Sequence, residues 1–392
     1  MIDFMAAAEA QRTDLIARRR DLHRHPELAF EEVRTAGIIA EELNRLGLEV
    51  WTGVGRTGVV AVLDGAKDGP TVLWRTDMDA LPIHEENAVD YVSTVPGKMH
   101  ACGHDGHVAI ALGLAKLFTV QRAHIAGRIK FVFQPAEEIV AGAQAMIADG
   151  VLDEPRPDVS LGLHLWNNAP IGTVGIASGP VMASSSAIKI TLTGRGGHAA
   201  MPHLTVDPVV AAAHLILALQ TVVSRSVDPL DTLVLSITMV RGSDADNVIP
   251  DRAELAGTLR AYSTPARDLA TTRIHEITQS VAAAMRCTAE VEVAHNSVPV
   301  VNDETVTERL RAAFSEVVDV ARLDTTMRTM AAEDVSEFML DIPGTYFFVG
   351  AANAERGLDY PHHHARFDFD EDALPLGLAL AASAIGSYVF SD

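Results

Sequence analysis

Three apolar runs in the first half of the chain each pass straight into residues that carry chemistry. Residues 71–75 lead into Thr76-Asp77-Met78-Asp79-Ala80-Leu81-Pro82, residues 128–133 into Gln134-Pro135-Ala136-Glu137-Glu138, and residues 159–163 into His164-Leu165-Trp166. Short apolar runs bounded by turn residues read as buried strands. Between them lie apolar stretches at helical spacing, residues 108–120 and 141–149. Strand alternating with helix predicts an α/β domain with a mostly parallel sheet and helices on both faces. In such sheets ligands bind beyond the carboxyl ends of the strands. Asp77, Glu137, Glu138 and His164 are therefore expected along one edge, each just past a strand.

The densest motif, Met99-His100-Ala101-Cys102-Gly103-His104-Asp105-Gly106-His107, sits between two of these strands. Thiolate and imidazole are the ligands that borderline divalent cations select. The glycines allow a bend that brings Cys102 and His104 to one point. The plainer alternative is a polar helix start capped by Asp105. Likewise Glu137-Glu138 alone reads as a solvated acidic turn, less so directly behind a buried strand and Gln134-Pro135. Cys102, His104, Glu138, His164 and one histidine of the 362–364 run together make five ligands. Two ions about 3.5–4 Å apart that share a bridging group need about that number. Glu137, next to a ligand, is then placed to take a proton from water.

Residues 3–47 read as helical with a break at Pro26, and His23 and His25 as structural histidines at a helix end. From residue 183 the character changes. The order becomes β-α-β-β-α-β: strand 187–193, helix 206–224, strands 232–240 and 253–262, helix 266–285 and strand 288–294. That is the ferredoxin-like arrangement. It predicts an inserted α+β domain over 183–293 within a discontinuous domain of 1–182 and 294–392. The glycine-rich loop Gly194-Arg195-Gly196-Gly197-His198 lies in the insert. The chain then returns with a helix at 303–320, a strand at 345–349 and an apolar helix at 372–389.

Composition removes several function classes. A net charge of −21 over 392 residues argues against nucleic acid and anionic membrane surfaces as partners. Two cysteines, Cys102 and Cys287, are too few for a secreted disulfide scaffold. Cys287 reads as buried and structural. No secretory signal pattern opens the chain and no run of about 18 apolar residues stands out. The expected setting is a reducing cytoplasm with no membrane contact.

Taken together, Arg75-Thr76-Asp77-Met78-Asp79-Ala80-Leu81-Pro82, His100-Ala101-Cys102-Gly103-His104-Asp105-Gly106-His107, Gln134-Pro135-Ala136-Glu137-Glu138, His164-Leu165-Trp166 and Gly196-Gly197-His198-Ala199-Ala200-Met201-Pro202-His203 resemble the amidohydrolase branch of the dinuclear aminoacylase/carboxypeptidase-like metallopeptidases. Hippurate hydrolase and indole-3-acetyl-amino-acid hydrolase belong to that branch. The resemblance runs from about Leu22 to Leu374. It implies hydrolysis of N-acyl-L-amino acids by a water activated by two divalent ions (Zn, Mn, Co or Ni). Cys102 would bridge them, His104, Glu138, His164 and His363 would complete the ligands, and Glu137 would be the general base. His363 is the histidine four residues before Phe367, as the family pattern requires. Asp77 would orient a ligand. In the insert, a lid and dimerisation domain, His198 would support the oxyanion of a partner subunit, and Asn247 and Arg260 would hold the substrate carboxylate. A homodimer or dimer of dimers is implied, acting on a small N-acyl amino acid or small peptide. A dipeptidase or aminopeptidase of the same family, or a non-catalytic binding relic, are the alternatives. Ala331, Ala332, Val335, His362 and Ala365 depart from the usual residues, which bears on pocket shape more than on catalysis.

Overall fold

The computed structural model describes residues 2–390 and divides the chain into two compact units. The first runs through Val181 and takes in Val301–Arg328 and the chain from Asp334 on. The second is Met182–Val300 with Thr329–Glu333.

The first unit is built on strands β1 (Glu49–Val54), β2 (Gly58–Asp64), β3 (Lys67–Asp77), β4 (Ala126–Gln134) and β5 (Val159–Pro170), with Gly344–Ala352 and the short strands Val174–Gly175 and Leu323–Asp324. The sheet order is β1-β2-β4-β3-β5, then Gly344–Ala352, Val174–Gly175 and Leu323–Asp324. β4, β3, β5 and Gly344–Ala352 run parallel in its centre, while β1 and β2 add an antiparallel edge. Sequence periodicity did not reveal β1, because its residues are mostly exposed and carry no apolar run.

The central strands are apolar on both faces, as sheets covered twice must be. On one face Val72, Trp74, Ile129, Phe131, Phe133 and Phe347 join the main core with the helices Arg12–Arg24, His104–Val120, Glu304–Phe314 and Ala373–Val389. On the other, Leu73 and Val132 meet Ala143 and Met146 of the helix Gly142–Ala148, with Phe338. Ala373–Val389 is apolar all round and buried along nearly its whole length, which makes it the central core helix.

Register fixes what stands at the functional edge. Asp77, the last residue of β3, pairs with Gln134 at the end of β4, and Arg75 pairs with Gly162 of β5. His164 therefore stands level with Asp77, two residues on. It does not follow the end of β5, as the sequence suggested, but lies within it, since β5 continues to Pro170 beside Gly344–Ala352, where Phe348 pairs with His164.

The second unit holds an antiparallel sheet of Ser184–Thr193, Leu233–Arg241, Arg252–Ala261 and Thr288–Ser297, with the first and third in the middle and the helices Pro208–Thr221 and Thr264–Ala284 on one face. The last strand runs beyond the expected residue 294, because its pairing with the first continues to Ser297 opposite Ser185. Asp207 and Ser263 cap the two helices with their side chains, each with proline in the first turn. The stretch Pro208–Ser226 is long and apolar enough, by length and composition alone, to cross a membrane, which corrects the sequence reading that no such run exists. Its inner face packs Ala211, Ala212, Leu215 and Leu219 into this unit's core.

Candidate metal centre

The turn from Cys102 into the helix His104–Val120 is made by Gly103 at φ +93°, a conformation costly for any residue with a Cβ. Asp105 does not cap that helix. Its carboxylate is buried and accepts from Arg19 Nε (3.0 Å) and His23 Nδ1 (2.7 Å). After β4 the chain turns sharply through Ala136, itself left-handed at φ +53°. Buried Glu32 holds that turn by accepting from Ala136 N at 2.9 Å. Such strain in a non-glycine residue is characteristic of functional turns. Glu137 and Glu138 follow, not in a helix but in this turn, and both carboxylates approach His104.

Among the described residues several groups of three ligand atoms lie within 4.8 Å of one another, His104/Glu137/Glu138 included, and two of them share Cys102: Cys102/His104/His164 and Cys102/Glu138/His363. Cys102 Sγ is 3.6 Å from His164 Nε2, His363 Nε2 is 3.3 Å from Glu138 Oε2, and His104 Nε2 is 3.9 Å from both Glu138 Oε1 and Glu137 Oε2. Ligand atoms bonded at about 2.1–2.3 Å to a common tetrahedral ion lie about 3.5 Å apart, so the spacing suits cations.

Tautomers point the same way. His104 Nδ1 donates to the Asp79 carbonyl at 2.9 Å and His164 Nδ1 to the Leu165 carbonyl at 2.7 Å. Both Nε2 atoms thus face the cluster, and buried His104 Nε2 and Glu138 Oε1 have no hydrogen-bond partner among the described residues. A divalent cation would satisfy both.

The electrostatics also favour positive charge. Burial pushes His104 down, but Asp77, Asp79 and Cys102 outweigh it and hold the ring well above its ordinary value. The Cys102 thiol and the Glu138 carboxylate raise His363 to about 10. Burial raises the Cys102 thiol, with the Glu138 charge adding to it. Protons on these ligands balance the negative groups wherever cations do not.

Of the 362–364 run, His363 reaches the cluster, from a left-handed backbone at φ +65°. His362 instead stacks on Trp166 at 4.7 Å between ring centres and accepts from Asn167 N at 3.1 Å. Asp77 lies 3.8 Å from His104 Nε2 and receives His107 Nδ1 at 2.6 Å. Sequence reasoning passed over Glu32, Asp79 and His107. Asp79 stands two residues after Asp77 in the same motif, and besides its contact with His104 it accepts from Glu138 N at 3.0 Å.

The remaining expected site residues lie in the second unit. His198, on the exposed strand Gly197–His198, pairs with Val248, and the Asn247 carbonyl accepts from Ala199 N at 3.1 Å, so His198 and Asn247 are neighbours. Arg260 is apart from them in the four-stranded sheet, opposite Ser185 and Val234, with Thr258 Oγ1 as its side-chain partner. Burial lowers its pKa, and among the described residues no carboxylate pairs with it.

Comparison with known proteins places the chain in a family. Residues 73–387 match the model of peptidase family M20/M25/M40. The chain is 39% identical over 376 residues to thermostable carboxypeptidase 1 of Saccharolobus solfataricus, covering 95% of this chain and 94% of that protein. It is 39% identical over 371 residues to N-acetylcysteine deacetylase of Bacillus subtilis, covering 94% and 95%. Among solved structures, a Bacillus subtilis dinuclear metal binding peptidase from the M20 family superposes with a TM-score of 0.82 at 34% identity, over 96% of this chain and 98% of that one.

Proposed function

The chain belongs to peptidase family M20/M25/M40, and from that premise we propose that it is a metal-dependent amide hydrolase that cleaves N-acyl-L-amino acids. The observation that carries the reading is the pair of ligand groups sharing Cys102, with Glu137 beside them. Cys102, His104 and His164 would hold one divalent ion and Cys102, Glu138 and His363 the other. When bound, the ions supply Lewis acidity to the amide carbonyl and to water.

The rest falls to this chain's own groups. Glu137 takes the proton from the attacking water and returns it to the departing amine, as a general base and then a general acid. Its buried setting keeps bulk water from competing. Asp79 fixes His104 and the Glu138 backbone, so the ligands wait in place. Arg260, half-buried and without an acidic partner among the described residues, suits the substrate carboxylate, because a guanidinium offers two parallel donors. Asn247 would share that task, and His198 would donate to the developing oxyanion.

The second unit supports a dimer. Leu217, Val209 and Val210 of the helix Pro208–Thr221 are exposed, and so are Val234 and Val240 of the edge strand Leu233–Arg241. An apolar helix face beside an open strand edge is a surface suited to a second copy. Two unpaired cysteines fit a reducing, cytoplasmic setting.

A hydrolysis screen tests the reading. N-acetyl, N-benzoyl and indoleacetyl amino acids are offered beside dipeptides with a free amine, with Zn, Mn, Co or Ni added. Turnover of the acyl substrates is expected. Turnover confined to dipeptides or carboxypeptidase substrates would replace this reading with a peptidase.

A further inference from the structure

His107 ends the Cys/His motif and is buried with both ring nitrogens engaged, so it has no lone pair for an ion. Its Nε2 accepts from the Leu165 backbone N–H at 2.9 Å. A peptide N–H can only donate, so a neutral His107 carries its proton on Nδ1, which donates to Asp77 Oδ1 at 2.6 Å. The other oxygen of Asp77 accepts from Arg75 Nη1 at 2.6 Å, and Arg75 Nη2 reaches Asp334 Oδ1 at 3.1 Å. At the other end, the Leu165 carbonyl receives His164 Nδ1 at 2.7 Å. One peptide residue is therefore gripped by His107 through its N–H and grips His164 through its C=O. The rings of His107 and His164 also meet edge-on, 4.8 Å between centres at 78°.

Resting on the dinuclear reading above, we propose that His107 is the positioning residue for His164: through the Leu165 peptide it holds His164 Nε2 toward Cys102, with Asp77 and Arg75 fixing the His107 tautomer. Asp77 thus acts on a ligand three hydrogen bonds away as well as facing His104. The arrangement differs from a histidine ligand backed directly by a carboxylate, because a neutral imidazole and a backbone amide stand between them.

The two amide replacements of histidine separate the contacts. Asparagine is short and can keep a donor toward Asp77, but it does not reach Leu165. Glutamine can place its carbonyl where Nε2 stands and accept from the Leu165 N–H. The probe is Co²⁺, titrated into metal-free protein while its visible absorption and stoichiometry are followed. Wild type is expected to bind two ions. His107→Asn is expected to weaken one of them by roughly 10- to 100-fold, the usual cost of losing a group that orients a ligand, and to alter its spectrum. The ion on Cys102, Glu138 and His363 should bind as before, and His107→Gln should recover most of the lost affinity. Asp77→Asn offers the wrong partner to His107 Nδ1 and should reproduce the asparagine result, which keeps the test open if His107→Asn does not fold. Two ions bound with wild-type affinity and spectrum in both His107→Asn and Asp77→Asn would overturn the proposal, as would equal loss in His107→Gln and His107→Asn, which would make His107 a space-filling residue. Wild-type protein that takes up fewer than two ions would sink the dinuclear reading itself, a failure visible before any variant is made.

Discussion

At the scale of single residues, the proposed mechanism gives proton transfer and metal holding to different groups. Glu137 and Glu138 are adjacent, yet only Glu138 belongs to the group with Cys102 and His363. Glu137→Ala should therefore keep its metal and its substrate affinity while kcat falls by roughly 10²- to 10⁴-fold, the usual worth of a general base. Near-normal turnover with full metal content would move the base elsewhere. Cys102→Ser should lose both ions together, because Cys102 alone belongs to both ligand groups; metal analysis after dialysis reads this, and loss of one ion only would deny the bridge. Motif spacing made Cys102, His104, Glu137, Glu138 and His164 legible as chemistry. Glu32 was not legible, since its part is to hold the Ala136 turn from 104 residues away, and nothing in sequence marks that contact.

At the scale of elements, the helix Arg12–Arg24 is tied to the metal loop by buried charge. Arg19 meets Asp105 and Asp368 at 3.0 and 2.7 Å, and His23 lies between Asp105 and Glu85. Arg19→Met would leave two buried carboxylates short of a partner and should cost about 3–5 kcal/mol in a denaturant titration, as broken buried pairs do. A cost under about 1 kcal/mol would show that the network is neutral. The same network sets a pH dependence. Burial alone would raise Glu85, but the hydrogen bond and charge of His23 hold it below the ordinary carboxylate value. Burial likewise raises Asp105, and Arg19 and His23 outweigh it. Groups lowered in the folded state stabilise it above their unfolded pKa and cease to do so as the pH falls through the folded one. Stability should therefore decline in acid, and Glu85→Gln should decline less steeply; identical slopes would remove Glu85 from the explanation. Most elements were legible from periodicity, including both units' helices. The exceptions follow from physics. β1 is exposed and lacks a pattern, and β5 outruns its apolar stretch because Gly344–Ala352 pairs with it as far as Pro170.

At the scale of the whole molecule, the role proposed for His198 calls for a second copy. If His198 serves the partner's site, then His198→Ala and Glu137→Ala, each inactive alone, should complement after subunit exchange. Random exchange makes half the dimers mixed, each with one intact site, so activity should return to about a quarter of wild type. No recovery despite demonstrated exchange would place His198 in its own chain's site or in none. Beneath all of this lies the claim that one thiolate joins two ions, and the metal content of the purified, metal-replete protein tests it most directly. The account predicts two divalent ions per wild-type chain, with hydrolysis of N-acyl amino acids abolished by chelation and restored by metal. One ion per chain or none, or hydrolysis that survives complete removal of metal, would contradict it.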